Sequence, residues 1–260
     1  MRSRLMLLVG AGVLLTACED TSSPSDEARV SVAMSAQSSA ATSGTTNPIN
    51  ANGDLVLTGT NGVLTITDVK LVVSEFELKR DNDDDCEEVV GSDDDCEEFE
   101  SAPFLVDLPL NGSEVVVATD RVPAGTYTEM EFEIEDLDDD ADDSAGNRTV
   151  IQQLRTQLRA AYPGISDDAS VIVVGTFTPV GGQARPFTVF LDADIEVEMA
   201  LNPPLTISES GANRTVTLSI DPALWFRSNG QVLDLSDLNG DILEFEVEVE
   251  DGFTKIEWDD

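Results

Sequence analysis

The chain has 260 residues, with 52 Asp plus Glu against 14 Lys plus Arg, no histidine and three cysteines, for a formal charge of −38. A field of that sign repels phosphate groups, so nucleic acid and anionic lipid headgroups are expected to be poor partners of the folded part. Without histidine there is no Ser-His-Asp or Cys-His hydrolase chemistry, no usual zinc site and no imidazole base.

Residues 1–18 read MRSRLMLLVGAGVLLTAC: Arg2 and Arg4 form a basic start, Leu5 to Leu15 an apolar stretch, and Thr16-Ala17 a small-residue cleavage site. The apolar run is too short to cross a bilayer of about 30 Å, so 1–17 is predicted to be a signal peptide. Leu15-Thr16-Ala17-Cys18 resembles the lipobox of bacterial lipoproteins. That resemblance implies cleavage that leaves Cys18 as an acylated first residue bearing several acyl chains, and attachment to the inner or outer membrane of a bacterial envelope. Cys86 and Cys96 are then left as a pair in an oxidising compartment, inside the near-repeat DDDCEE at 83–88 and 93–98. A disulfide across that interval would contribute about 2.5–3 kcal/mol.

Residues 18–53 are rich in Ser, Thr, Ala, Asn and Gly and are expected to be a lipidated, flexible tether, with one short alternating patch, 29–34, that could form a strand. The folded domain is predicted to run from 54 to 260. Leu55-Val56-Leu57 and Val63 to Ile66 flank Asn61-Gly62 as a hairpin. Val69 to Leu78 reads as one long strand with a bulge where the alternation slips. Short strands follow at 104–108 and 115–117. Met130, Phe132 and Ile134 alternate with Glu131, Glu133 and Glu135, as do Ile195, Val197 and Met199 with their acids, and Phe245, Val247 and Val249 with theirs. Such alternation predicts antiparallel sheets with one solvated, carboxylate-bearing face. Residues 171–177 and 187–191, joined by Pro179-Val180-Gly181-Gly182, form a further hairpin.

Ile151, Leu154 and Leu158 at helical spacing predict one helix over 148–161, ended by Pro163-Gly164. A second helical turn is expected at 221–226, with Asp221 as cap and Pro222 in the first turn. About ten strands and one inserted helix give an all-β antiparallel β-sandwich, immunoglobulin-like or transthyretin-like.

Asp68 to Arg80 (DVKLVVSEFELKR), Phe104 to Leu110 (FLVDLPL), Val122 to Glu133 (VPAGTYTEMEFE) and Asp221 to Phe226 (DPALWF) resemble segments of a family of uncharacterised bacterial lipoproteins with a β-sandwich domain. The likeness implies fold and location. Its motifs are turns, so it implies no activity and no site residues.

The acids are clustered, with 12 in residues 81–100, 9 in 131–143 and 9 in 241–260. Asp81, Asp83 and Asp85, and Asp138, Asp140 and Asp142, place alternate carboxylates where a curling loop could converge on one hard cation such as Ca²⁺. Neither run is an EF-hand, because position six is Cys86 or Asp143 and position twelve is Ser92 or Thr149. Asp237, Asn239 and Asp241 around Gly240 offer a weaker third candidate. Solvated loops and adaptation to high salt account for the same acids, and all three readings stand at this point. No nucleophile elbow or phosphate-binding loop is present. Trp225 and Phe226 are expected to be core plugs, with an exposed recognition patch as the rival. The sequence thus predicts a non-enzymatic envelope module held to the membrane through Cys18, with a protein or glycan ligand unspecified. Its rivals are an adhesin or assembly subunit and, more remotely, a carboxylate hydrolase.

Overall fold

Which side of each strand meets the core follows from where its apolar residues fall. The computed structural model describes residues 27–36, 49–80, 98–137, 145–208, 213–238, 242–244 and 253–259. In chain order its strands begin with β1 (Glu27–Ala36), β2 (Leu55–Thr58), β3 (Gly62–Val73), β4 (Glu75–Lys79), β5 (Glu98–Glu100), β6 (Phe104–Asp107), β7 (Glu114–Pro123) and β8 (Gly125–Ile134). Helix α1 (Ala145–Ala161) precedes β9 (Val171–Pro179), β10 (Arg185–Asp192), β11 (Ile195–Ile207) and β12 (Arg214–Ile220). A small hairpin of β13 (Arg227–Ser228) and β14 (Gln231–Val232) leads through a 3-10 turn, Leu235–Leu238, to β15 (Ile242–Glu244) and β16 (Phe253–Asp259).

Three sheets enclose one core. Their orders are β16-β12-β1-β7, then β15-β10-β9-β3-β2 with β6 also on β3, and β11-β8-β4-β5. Leu57, Leu71, Phe76, Phe132, Val173, Leu218, Trp225 and Phe226 belong to a single buried apolar cluster drawn from all three. The fold is all-β and sandwich-like, with one helix. Most pairings are antiparallel as expected, but β1–β12 and β10–β15 are parallel.

Strand β1 moves the domain boundary. It lies in the middle of its sheet, antiparallel to β7 and parallel to β12, and Val30, Val32, Met34 and Ala36 point into the core. The folded part therefore begins by Glu27 rather than at 54, and the tether read over 18–53 is interrupted by a core strand. The local signal was weak because half of β1 is small residues (Ala28, Ser31, Ala33, Ser35, Ala36), whose fitness for a strand depends on what lies beside them.

The slip in alternation between Val69 and Phe76 is a change of sheet. Backbone pairing passes from β3 in one sheet to β4 in another across Ser74, whose amide donates to the Glu133 carbonyl at 3.1 Å. The bulge of β3 lies earlier, at Ile66/Asp68, where Thr67 and Asp68 both turn away from the core. The first hairpin is also offset by one residue. Thr58 pairs with Val63 and Gly59 exchanges backbone bonds with Gly62, so Thr60 and Asn61 are the loop residues.

Helix α1 covers the second sheet through Ile151 and Leu158, which are buried with Val72, Ile172 and Phe190. Full burial of such a side chain contributes about 1.5–3 kcal/mol. Its end is fixed by Tyr162, whose amide donates to the Leu158 carbonyl at 2.7 Å and whose hydroxyl donates to Asp68 at 3.0 Å, and Gly164 then takes φ +99°. Residues 221–226 form successive turns rather than a helix. Asp221 accepts from the Ala223 amide at 3.1 Å, a local bond that holds the turn. The strand expected at 245–249 lies outside the described residues.

Candidate functional site

Strands β11, β8 and β4 bury Ile195, Val197, Met130, Phe132, Phe76 and Leu78, and β5 packs Phe99 against the same core, which sends the intervening glutamates to the other face. Register then aligns them. Glu198 stands opposite Glu131, Glu131 opposite Glu77, and Glu77 opposite Glu100, one carboxylate on each of four strands. The next row on one side holds Glu196, Glu133 and Glu75, and on the other side of the first row Glu129 faces Lys79. Neighbouring strands lie about 4.8 Å apart, so like charges directly opposite destabilise the sheet.

The face relieves that repulsion in two ways. Lys79 forms ion pairs with Glu131 and, at 3.3 Å, with Glu77, and its bond to Glu131 raises its pKa. The second is a retained proton: a hydrogen bond to Glu77, reinforced by burial and by the charges of Glu77, Glu100 and Glu133, pushes Glu75 up to about 9. Glu133 is raised chiefly by burial, against the Ser74 hydroxyl that donates to it at 3.3 Å, and Glu196 is raised chiefly by the Glu131 charge.

Among the described residues, two trios have carboxylate oxygens within 4.8 Å of one another, Glu75 with Glu77 and Glu100, and Glu131 with Glu196 and Glu198. Beside the first, Ser74, Glu75, Glu100, Glu133, Glu135 and Asp136 line a cavity of about 20 Å³, room for one water or one bare ion. An all-oxygen donor set of this kind suits a hard cation, which takes six to eight oxygens at 2.3–2.6 Å and completes its shell with water.

The calcium candidates read from the sequence, Asp81, Asp83, Asp85, Asp138, Asp140 and Asp142, lie outside the described residues, as do Cys18, Cys86 and Cys96. Asp237 is described and is committed elsewhere, to Arg185 at 2.7 Å. Trp225 and Phe226 are each 1 % exposed and meet edge to face at 6.1 Å, so they are core and form no surface patch. Glu75, Glu77 and Glu100 were not singled out from the sequence. The signal was there in Glu-Phe-Glu-Leu-Lys and Glu-Phe-Glu, two short alternating runs whose acids become neighbours only once β4 is laid between β8 and β5. A second polar cluster was also missed: Lys70 bridges Asp68 at 3.2 Å and Asp107 at 3.0 Å, next to the Tyr162 hydroxyl, and ties the end of α1 to β3 and β6.

No protein-family model matches the chain, and no curated protein matches it. Among solved structures the chain is similar to MbnP from Methylosinus trichosporium, with 12% sequence identity over 74% of this chain and 76% of that one, at a TM-score of 0.35.

Proposed function

We propose that the protein is a non-enzymatic bacterial envelope module, lipid-anchored at Cys18, whose acidic sheet face takes up divalent cations, with Ca²⁺ the best match to its donors. The anchor rests on the lipobox-like leader, and the resemblance to β-sandwich lipoproteins supports the same address. The observation that carries the cation reading is the row Glu198–Glu131–Glu77–Glu100, together with a proton held on Glu75 by its hydrogen bond to Glu77. Such a proton marks a place where negative charge exceeds what the fold compensates, and a cation can replace it. Weak affinity, on the order of 10⁻⁴–10⁻³ M, suits an extracellular module. Cys86 and Cys96 would be joined as a disulfide in that compartment.

The test is thermal unfolding of the chain from residue 19 with Ca²⁺, with Mg²⁺ and with NaCl at matched ionic strength. A rise in Tm selective for Ca²⁺, removed by Glu77→Gln, supports the reading. Equal rises in all three salts reduce the face to charge screening and reject it.

A second reading, assembly through a sheet edge, is favoured by β7. It ends its sheet as a ten-residue edge and carries Val116, 59% exposed.

A further inference from the structure

The proposed anchor and strand β1 are closer in sequence than a tether of 36 residues would put them. Only residues 19–26 separate Cys18 from Glu27, the first residue of β1. Eight residues span at most about 30 Å however they run. The end of the sandwich where β1 begins is therefore held near whatever holds Cys18.

That end gathers arginines on neighbouring strands. Arg29 on β1 is paired with Arg121 on β7, and the next residue, Val30, is paired with Arg214, the first residue of β12. Arg29 and Arg121 are exposed and Arg214 is half-buried. Glu27 pairs with Pro123, and the following residue, Ala124, gives its carbonyl to the Arg80 guanidinium at 3.2 Å. Four arginines thus share one end of a chain that has 14 basic residues against 52 acidic ones. The acids in the same strand rows are Glu27, paired with Pro123, Asp120, paired with Val30, and Asp259, paired with Thr215, and the tether adds Glu19, Asp20 and Asp26. At the other end of the sheet, Glu114 stands on β7 and Asp221 follows β12.

We infer that this end lies against the bilayer and that Arg29, Arg121 and Arg214 meet lipid phosphates there. The inference rests on the anchored reading above. Guanidinium groups match phosphate oxygens two bonds at a time. The acid-rich stretch 81–97 is joined to the same end through Arg80 and opposes contact with an anionic surface. The short tether decides the balance, because it holds the arginines at an effective concentration on the order of millimolar, where weak contacts are populated.

The experiment uses the lipidated full chain in vesicles of phosphatidylethanolamine and phosphatidylglycerol that contain a headgroup-attached quencher. A fluorophore is carried on a non-natural side chain at Thr126, beside the arginine end, or at Asn111, at the far end of β7. Quenching several-fold stronger at Thr126 is expected, and it should fall toward the Asn111 level in Arg29→Gln/Arg121→Gln. The same fall is expected when a flexible Gly/Ser segment is inserted between Cys18 and Glu27. Equal quenching at both positions in protein that floats with the vesicles overturns the orientation and leaves the anchor intact. Protein that fails to float with the vesicles overturns the anchor, and this inference with it.

Discussion

Arg80 lies with its guanidinium carbon 4.9 Å from the centroid of the Tyr127 ring and donates to the Tyr127 hydroxyl at 2.9 Å. That hydroxyl in turn donates to the Pro123 carbonyl at 2.9 Å, so one side chain closes the turn between β7 and β8 and the other covers it. Tyr127→Phe removes both hydroxyl bonds while keeping the ring, and is expected to cost about 1–2 kcal/mol. Gly125→Ala acts on the same clamp, since a Cβ there would stand 2.8 Å from the Arg80 guanidinium carbon. Both losses are read from urea midpoints at unchanged slope.

Asn61 carries the other clamp. Its amide nitrogen donates to the Val232 carbonyl at 2.7 Å and its oxygen accepts from the Val232 amide at 3.0 Å, 171 residues away. Asn61→Ala leaves both backbone groups of Val232 short of a partner and should destabilise by about 2 kcal/mol. Asn61→Asp, which keeps the acceptor alone, should recover part of that in the same denaturation series.

Glu75 sets a pH dependence. Its folded pKa is raised from 4.5 to about 9, so the folded state binds a proton that the unfolded chain has released. Stability from this group is complete below pH 4.5 and is lost as pH rises through about 9. Glu133 and Glu196, both raised, act in the same direction. Thermal unfolding should therefore show Tm falling across that interval, with a flatter profile in Glu75→Gln. A profile as steep in the variant as in the parent would place the dependence elsewhere.

Lys79 is the cation inside the row. Lys79→Met leaves Glu77 and Glu131 facing each other without compensation, and with its side chain 28% exposed the expected loss is modest, about 1 kcal/mol. The defect should shrink in high NaCl, and shrink further with Ca²⁺ if that ion enters the face. A loss unaffected by either salt would assign Lys79 a packing role.

Val116 tests the edge. If β7 pairs with a second copy, sedimentation at raised NaCl, where the repulsion between two highly acidic chains is screened, should show dimer in the parent chain and monomer in Val116→Lys. Monomer at every salt concentration ends the assembly reading.

What the sequence disclosed depended on how far apart the interacting residues lie along the chain. The alternation of Met130, Phe132 and Ile134 with glutamates placed β8 correctly, because that pattern is complete within five residues, and the spacing of Ile151, Leu154 and Leu158 located α1 to within three residues at its start. Asn61 was legible as a loop residue, but its bonds to Val232 were not, since nothing near either residue announces the other. The outward glutamates of β8 and β11 were expected to be wet. That they join Glu77 and Glu100 in one row follows from strand order, which no local pattern encodes. The step at Ser74 looked like a bulge for the same reason: a slipped alternation is identical on paper whether a strand kinks or leaves its sheet.

The position of β1 also bears on the order in which the molecule can be built. It is the first described strand to leave the ribosome, yet its parallel neighbour, residues 214–220, and that strand's outer partner, 253–259, are among the last. The four-stranded layer stays incomplete until nearly the whole polypeptide has been made. Pairings so distant along the chain close slowly. Until they close, Val30, Val32 and Met34 have no settled cover, which makes the earliest-made strand the segment most in need of protection while synthesis finishes.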